Sequence, residues 1–284
     1  MASRFWVGGT GTWDSSTTTN WAASTGGGGG QSVPGSGDTV TFDGNSGGGT
    51  VTVNTTVTIS SLAMGAFTGT LDFSANNNNV NIGTVTPAVT ALNYSGTGTR
   101  TFNMGNGTWT LDCTSAGTLI SGTNLTNMTF AAGSSTIVCA SHANVNRTIN
   151  SGVTFNNLTM NAAASSGLTL NGTPTFSGTV VLNGQCVLNL STGATIGTLS
   201  VSSSASDPVL FKTNAQGTQQ TITLTNSFSG SYCAFIDTKF SGGTNTASNS
   251  FDLGNNSGIT ITGPSGGGGS SQMLYENRMG GNLG

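Results

Sequence analysis

Residues 50–59 read TVTVNTTVTI. Val51, Val53, Val57 and Ile59 fall on one side of an extended chain, and Thr50, Thr52, Thr56 and Thr58 on the other. Successive side chains of a strand alternate between its faces, so this period of two, built from β-branched residues, specifies a half-buried strand. The pattern repeats outward in both directions. Leu71/Phe73, Val80/Ile82, Trp109/Leu111/Cys113, Leu168/Leu170, Cys186/Leu188/Leu190, Leu199/Val201, Ile222/Leu224 and Ile259/Ile261 alternate in the same way. Gly, Asn and Ser clusters separate them, as tight turns require. No stretch of helix length carries a 3.6-residue period.

Composition sharpens this reading. Gly, Ser, Thr and Asn fill 160 of the 284 positions, and charged residues only 5%, against roughly 25% in ordinary soluble domains. A helical bundle is excluded because Glu, Lys, Arg and Gln, its strongest formers, are scarce. Six basic residues neutralise too few phosphates for a nucleic-acid binder. A hydrophobic content of 34% and a net charge of -3 do not fit a disordered chain. A sandwich or barrel and a β-solenoid both accommodate many short strands. The solenoid is favoured because GVTFNNLTMN, GLTLNGTPTFSGTVVLNG and GATIGTLSVS (152–161, 167–184 and 193–202) resemble imperfect copies of one unit. The expected fold is therefore all-β: a parallel β-helix with short irregular rungs, an aromatic N-terminal cap over 1–31, a solenoid over 32–262, a Gly/Ser linker over 263–271 and a tail over 272–284.

Cys113, Cys139, Cys186 and Cys233 are 26, 47 and 47 positions apart. A turn of about 23–24 residues makes these one, two and two turns, which predicts a single buried column of thiols. Strands one turn apart lie ~4.8 Å from each other, so only Cys113–Cys139 could bridge. Free buried thiols suit a cytosolic product. The first residues hold no apolar core of a signal peptide, and no apolar run approaches the ~20 residues of a membrane span. The reading is a chain made in the cytoplasm, with neither membrane nor nucleic acid as partner.

Chemistry-bearing patterns are sparse. His142 stands in the polar stretch ASHANVNRT, which gives little support to a catalytic triad. The carboxylates are scattered, although stacked rungs could join Asp72 to Asp112. No EF-hand, P-loop or zinc spacing occurs, so no cofactor and no metal is expected, and the chain reads as a non-enzyme. Thr-x-Thr pairs such as Thr50/Thr52 and Thr221/Thr223 suggest an ice-binding face, but their irregular spacing argues against one rung-by-rung register. Large side chains gather at the two ends. Phe5, Trp6, Trp13 and Trp21 form one group, which reads first as a solenoid cap and second as an anchor on a partner, two roles that are compatible. Met273, Leu274, Tyr275 and Met279 form the other, beyond the linker, and read as a docking tail. Flat Thr, Val and Ala faces predict a homo-oligomer, most simply a trimer.

The opening RFWVGGTGTWDSSTTTNWA (4–22), followed by GDTVTFDG (37–44) and TVTVNTTVTISSL (50–62), resembles β-helical structural proteins of tailed bacteriophages. The close YCAFIDTKFSGGTNTASNSFDLGNNSGITI (232–261) is similar to the same group. The resemblance implies a virion component on the particle exterior, assembled in the host cytoplasm. A capsid decoration or head-fibre protein is expected, with other virion proteins, the major capsid protein foremost, as partners. A tail fibre or appendage protein, and a bacterial surface adhesin passenger, share the style. The resemblance carries no catalytic residue.

Overall fold

The computed structural model describes residues 1–114, 116–140, 146–161 and 166–264. The chain is all-β, with 48% strand and no helix. Parallel pairing dominates. Among the described strands only Trp21–Ala22 runs antiparallel to its neighbour, Ser3–Trp6. Parallel partners must be joined by a crossover, and here the crossover is one circuit of the solenoid.

One circuit shows how the coil is built. Thr39–Thr41 lies in a first wall, Thr50–Val53 in a second and Val57–Ile59 in a third. Ser61–Ala63 then returns to lie beside Thr39–Thr41. The TVTVNTTVTI stretch thus spans two walls, with a corner at 54–56. Val53 and Val57 are four positions apart, so the alternation keeps its phase across the corner and both stay inward.

The first wall is a continuous sheet of twelve strands. The second and third walls are separate as far as Met128–Ala131 and Thr136–Cys139, and then fuse. Thr154–Phe155 and Asn157–Asn161 both pair with one nine-residue strand, Thr175–Asn183. That strand pairs in turn with Ala194–Ser202, with a register shift between Phe176 and Thr179. Gly197 sits at this bend, where a Cβ would collide with the carbonyl oxygens of Ser177 and Gly178. Further on, Gln220–Leu224 and Thr238–Ser241 continue one side, and Ser229–Ser231, Thr246–Ser248 and Thr260–Ile261 form a separate sheet.

The core consists of inward columns. The first wall contributes Val40, Leu62, Leu92, Ile120, Ile149, Leu170 and Leu190 in successive register. The third contributes Ile59, Ile82, Leu111, Cys139, Met160 and Leu182. The second contributes Val51, Leu71, Phe102 and Phe130, then Phe155, Phe176 and Ile196. Phe130 and Phe155 join the two runs, with ring centroids 5.5 Å apart. Each large apolar side chain so buried contributes about 1.5–3 kcal/mol, and this holds together a fold with little charge.

Three expectations need correction. The turns are not 23–24 residues long: Leu71 pairs with Phe102, 31 positions on, and Ala234 with Phe251, 17 positions on. The walls require only short strands, and the corners absorb the variation. Residues 1–31 are not a cap apart from the solenoid. Ser3–Trp6 and Gly11–Trp13 pair with Thr39–Thr41 and Thr50–Val53 and make the first turn, while Trp21–Ala22 alone covers an edge. The cysteines do not share one wall, although they neighbour one another in the order expected: Cys139 pairs with Leu111 in the third wall, with Cys113 two residues beyond Leu111, whereas Cys186 and Cys233 belong to strands of the first wall, and Cys139 lies near both Cys113 and Cys186, and Cys186 near Cys233.

Candidate functional site: the ends, the buried polar groups and the outer walls

At the N-terminal end the alternation that forms the first turn drives its aromatic side chains inward. Trp6, Trp13 and Trp21 are 0–1% exposed. Trp21 meets Trp6 and Trp13 edge-on, at 5.1 Å and 5.0 Å between ring centroids, and Trp6 stacks on Phe42. Trp6 Nε1 donates to the Gly9 carbonyl at 3.0 Å. The anchor reading of these three tryptophans is therefore corrected: they plug the end of the coil and present no face to a partner. Phe5, whose backbone lies between Ala22 and Thr41, is half-buried. Met273, Leu274, Tyr275 and Met279 lie outside the described residues, as does His142.

All four cysteines are buried and unbridged. Burial pushes the thiol of Cys113 up to about 11 and those of Cys139, Cys186 and Cys233 up to about 12. The charge of Arg147 partly offsets this at Cys113 and Cys139. The thiolate is the nucleophilic form, so these groups are packed as small apolar side chains and are not poised for reaction.

Sequence reading missed two buried arginines. Arg147 Nη2 donates to Asp112 Oδ1 at 2.7 Å, with both side chains 3–4% exposed. Its Nη1 donates to the Ala140 carbonyl at 2.8 Å. Arg100 is 1% exposed and its guanidinium donates to four main-chain carbonyls. Tyr94 and Gly98 belong to one corner, Asn124 and Thr126 to the corner stacked on it. The signal was present: Arg100 alternates with Phe102 and Met104, and Arg147 with Ile149, at inward positions.

The carboxylates serve the corners. Asp14 accepts from the N–H groups of Ser16 and Thr17, which hold its carboxyl below the usual range. Asp43, Asp72 and Asp252 make the same turn with Asn45, Ser74 and Gly254. Such local bonds are what make Asp a turn residue. Asp72 ends a strand of the second wall and Asp112 follows one of the third, so stacking does not join them as a catalytic pair. Among the described residues no group of three or more His, Cys, Asp or Glu gathers as a metal site would.

The outer walls carry ladders of neutral polar groups. On the second wall Thr50, Thr70, Thr101 and Thr129 stand in register. Thr154, Thr175, Thr195 and Thr223 form a second such run. The first wall presents Thr90, Thr118, Thr148 and Thr169, continued by Asn189 and Lys212. The irregular Thr spacing in sequence thus reflects unequal turns, not a broken register. The adjoining column of the second wall reads Thr52, Asp72, Asn103 and Ala131, so the paired rows of Thr expected of an ice-binding face do not form there. A shallow cavity of about 200 Å³ opens where Gly193 interrupts the surface between Thr173 and Thr221. Asparagines bond between turns, as in Asn183 Nδ2 to Asn161 Oδ1 at 2.9 Å. No family model, curated protein or solved structure matches the chain.

Proposed function

We propose that this chain is a non-enzymatic structural protein of a bacteriophage virion, a capsid decoration or head-fibre protein carried on the particle exterior. The observation that carries the reading is the union of the two terminal motifs with charge-poor, ladder-bonded walls. Buried charges such as Arg100 and Arg147 tie turns together, and the outer columns offer hydroxyls and amides. Stability then rests on packing and on hydrogen bonds between turns, terms that salt screens little, which suits an exterior surface. In this reading the chain assembles in the host cytoplasm, forms a homotrimer through its flat walls and attaches to the major capsid protein or another virion protein. It needs no cofactor and contacts neither nucleic acid nor membrane.

A mass-spectrometric inventory of purified particles, with copy number, tests the proposal. Hundreds of copies per particle are expected of a head protein. About three to eighteen would replace it with a tail fibre or appendage, since symmetric assemblies set the copy number. Absence from the particles, with recovery from a bacterial surface, would replace it with an adhesin passenger.

A further inference from the structure

Asn–Gly steps occur at 106–107, 171–172 and 183–184. In such a step the glycine nitrogen, unshielded by a Cβ, can attack the asparagine carboxamide and displace ammonia. As sequence the three are alike. Their surroundings in the coil are not.

Two of them are held out of that geometry. Asn183 Nδ2 donates to Asn161 Oδ1 at 2.9 Å, and the Gly184 N–H donates to the Ser202 carbonyl at 2.9 Å, so both reacting groups are engaged with neighbouring turns. Asn106 Oδ1 accepts the Ser134 N–H at 3.0 Å, which fixes that carboxamide on the next turn. A Cβ at Gly107 would stand 2.4 Å from the Asn78 carbonyl oxygen, so the main chain there is closely packed. Asn171, which ends the first-wall strand Ser166–Asn171, differs. The Gly172 N–H donates to Oδ1 of Asn171 itself at 3.0 Å, and to no main-chain acceptor among the described residues. With a C=O bond of ~1.23 Å, this places the nitrogen about 3–3.5 Å from Cγ, the separation of a near-attack conformer. Asn171 is half-buried and Thr173 exposed, so water reaches the corner. The corner is also strained. Gly172 and Thr173 adopt φ of +81° and +57°, and Thr173 is the one β-branched residue with positive φ among the described residues. A β-branched side chain is disfavoured there, so this corner resists rearrangement less than a relaxed turn would.

We propose that Asn171 is a site of self-modification, where the Gly172 nitrogen closes an imide on the Asn171 side chain and water opens it. The Gly172 N–H gives its proton to solvent base, the N–Cγ bond forms, and Cγ–Nδ2 breaks as ammonia leaves with a proton from water. Water then adds to either imide carbonyl and yields aspartate or isoaspartate. No other reactant is needed. The product places a negative charge beside Asn150, with which Asn171 pairs, on a wall lined there by the hydroxyls and amides of Thr148, Thr169 and Asn189. This inference is independent of the virion assignment.

The test incubates the full native chain in mildly alkaline buffer made with ¹⁸O-labelled water and follows each Asn–Gly peptide by mass spectrometry, beside the chain unfolded in urea. In urea the three steps should react at similar rates. In the native chain Asn171 should react at least ~3-fold faster than Asn106 and ~10-fold faster than Asn183, because those steps must first break one and two hydrogen bonds to neighbouring turns, each worth roughly threefold to tenfold in rate. Asn171→Gln, whose longer side chain closes a ring far more slowly, should abolish label in that peptide while the strand signal in circular dichroism stays constant. Equal native rates at the three steps, a faster Asn106 or Asn183, an unreacted Asn171, or label retained in the Gln variant would each overturn the proposal.

Discussion

Replacing Arg100 with Ala removes a side chain that holds two stacked corners together. Its guanidinium donates to the carbonyls of Tyr94, Gly98, Asn124 and Thr126. The Tyr94 interactions are buried, whereas the other three acceptors are partly reached by water. A buried acceptor left without a donor costs about 1–3 kcal/mol, and the half-wet acceptors recover part of their loss from solvent. With two buried bonds lost and three partly replaced by water, a cost of about 3–4 kcal/mol is expected here. A solenoid opens locally, since each turn touches mainly its neighbours. Hydrogen exchange is therefore the assay: amides of 94–103 and 122–131 should lose ~10²–10³-fold protection, at 1.4 kcal/mol per tenfold. Amides of the last turns should be unaffected. Arg100→Met keeps much of the apolar stem but none of the donors and should lose nearly as much. Protection within about threefold of the parent in both variants, ~0.6 kcal/mol, would refute the view that these hydrogen bonds fasten the corners.

The remaining predictions concern groups buried in the coil. The four thiols are raised from 9.0 to about 11 and 12, so the unfolded chain ionises first. Stability should be level below pH 9 and fall as pH rises toward 12, by up to ~1.4 kcal/mol per pH unit and thiol; denaturant titrations over that range, beside a variant with all four cysteines replaced by Ala, measure the slope. Arg147→Met should cost about 3–5 kcal/mol by removing the guanidinium from the buried Asp112 carboxylate, and Arg147→Met with Asp112→Leu should cost less; a double-mutant cycle by chemical denaturation that finds simple additivity would contradict the pairing. Gly197→Ala places a Cβ against the Ser177 and Gly178 carbonyls and should lower stability by about 1–3 kcal/mol. Gly217, with open space around it, is the control: Gly217→Asn should be nearly neutral in the same thermal melts, since Asn tolerates its positive φ.

What could be read from sequence follows from what is local. Alternation is a property of neighbouring residues, so Val51, Val53, Val57 and Ile59 disclosed the strands and their inward side directly. The same logic would have disclosed Arg100 and Arg147, whose inward phase was masked by the habit of placing charge outside. Turn length is not local. It depends on corners such as 94–99 and 122–127, whose hydrogen bonds fix their path, so the equal-turn premise misplaced the cysteines and concealed the Thr columns. The tryptophans posed a different problem. Trp6, Trp13 and Trp21 have the same apolar area whether they plug an end or grip a partner, and only the return of Trp21–Ala22 against Ser3–Trp6 distinguishes the two.

The most direct measurement is an electron cryo-microscopy reconstruction of purified phage particles at a resolution that separates strands. The expected result is exterior density attached to the head that fits a three-walled coil with strands stacked at ~4.8 Å, ending in the tryptophan-plugged turn. Particles with no such density on the head, from a preparation whose peptides include this chain, would contradict it.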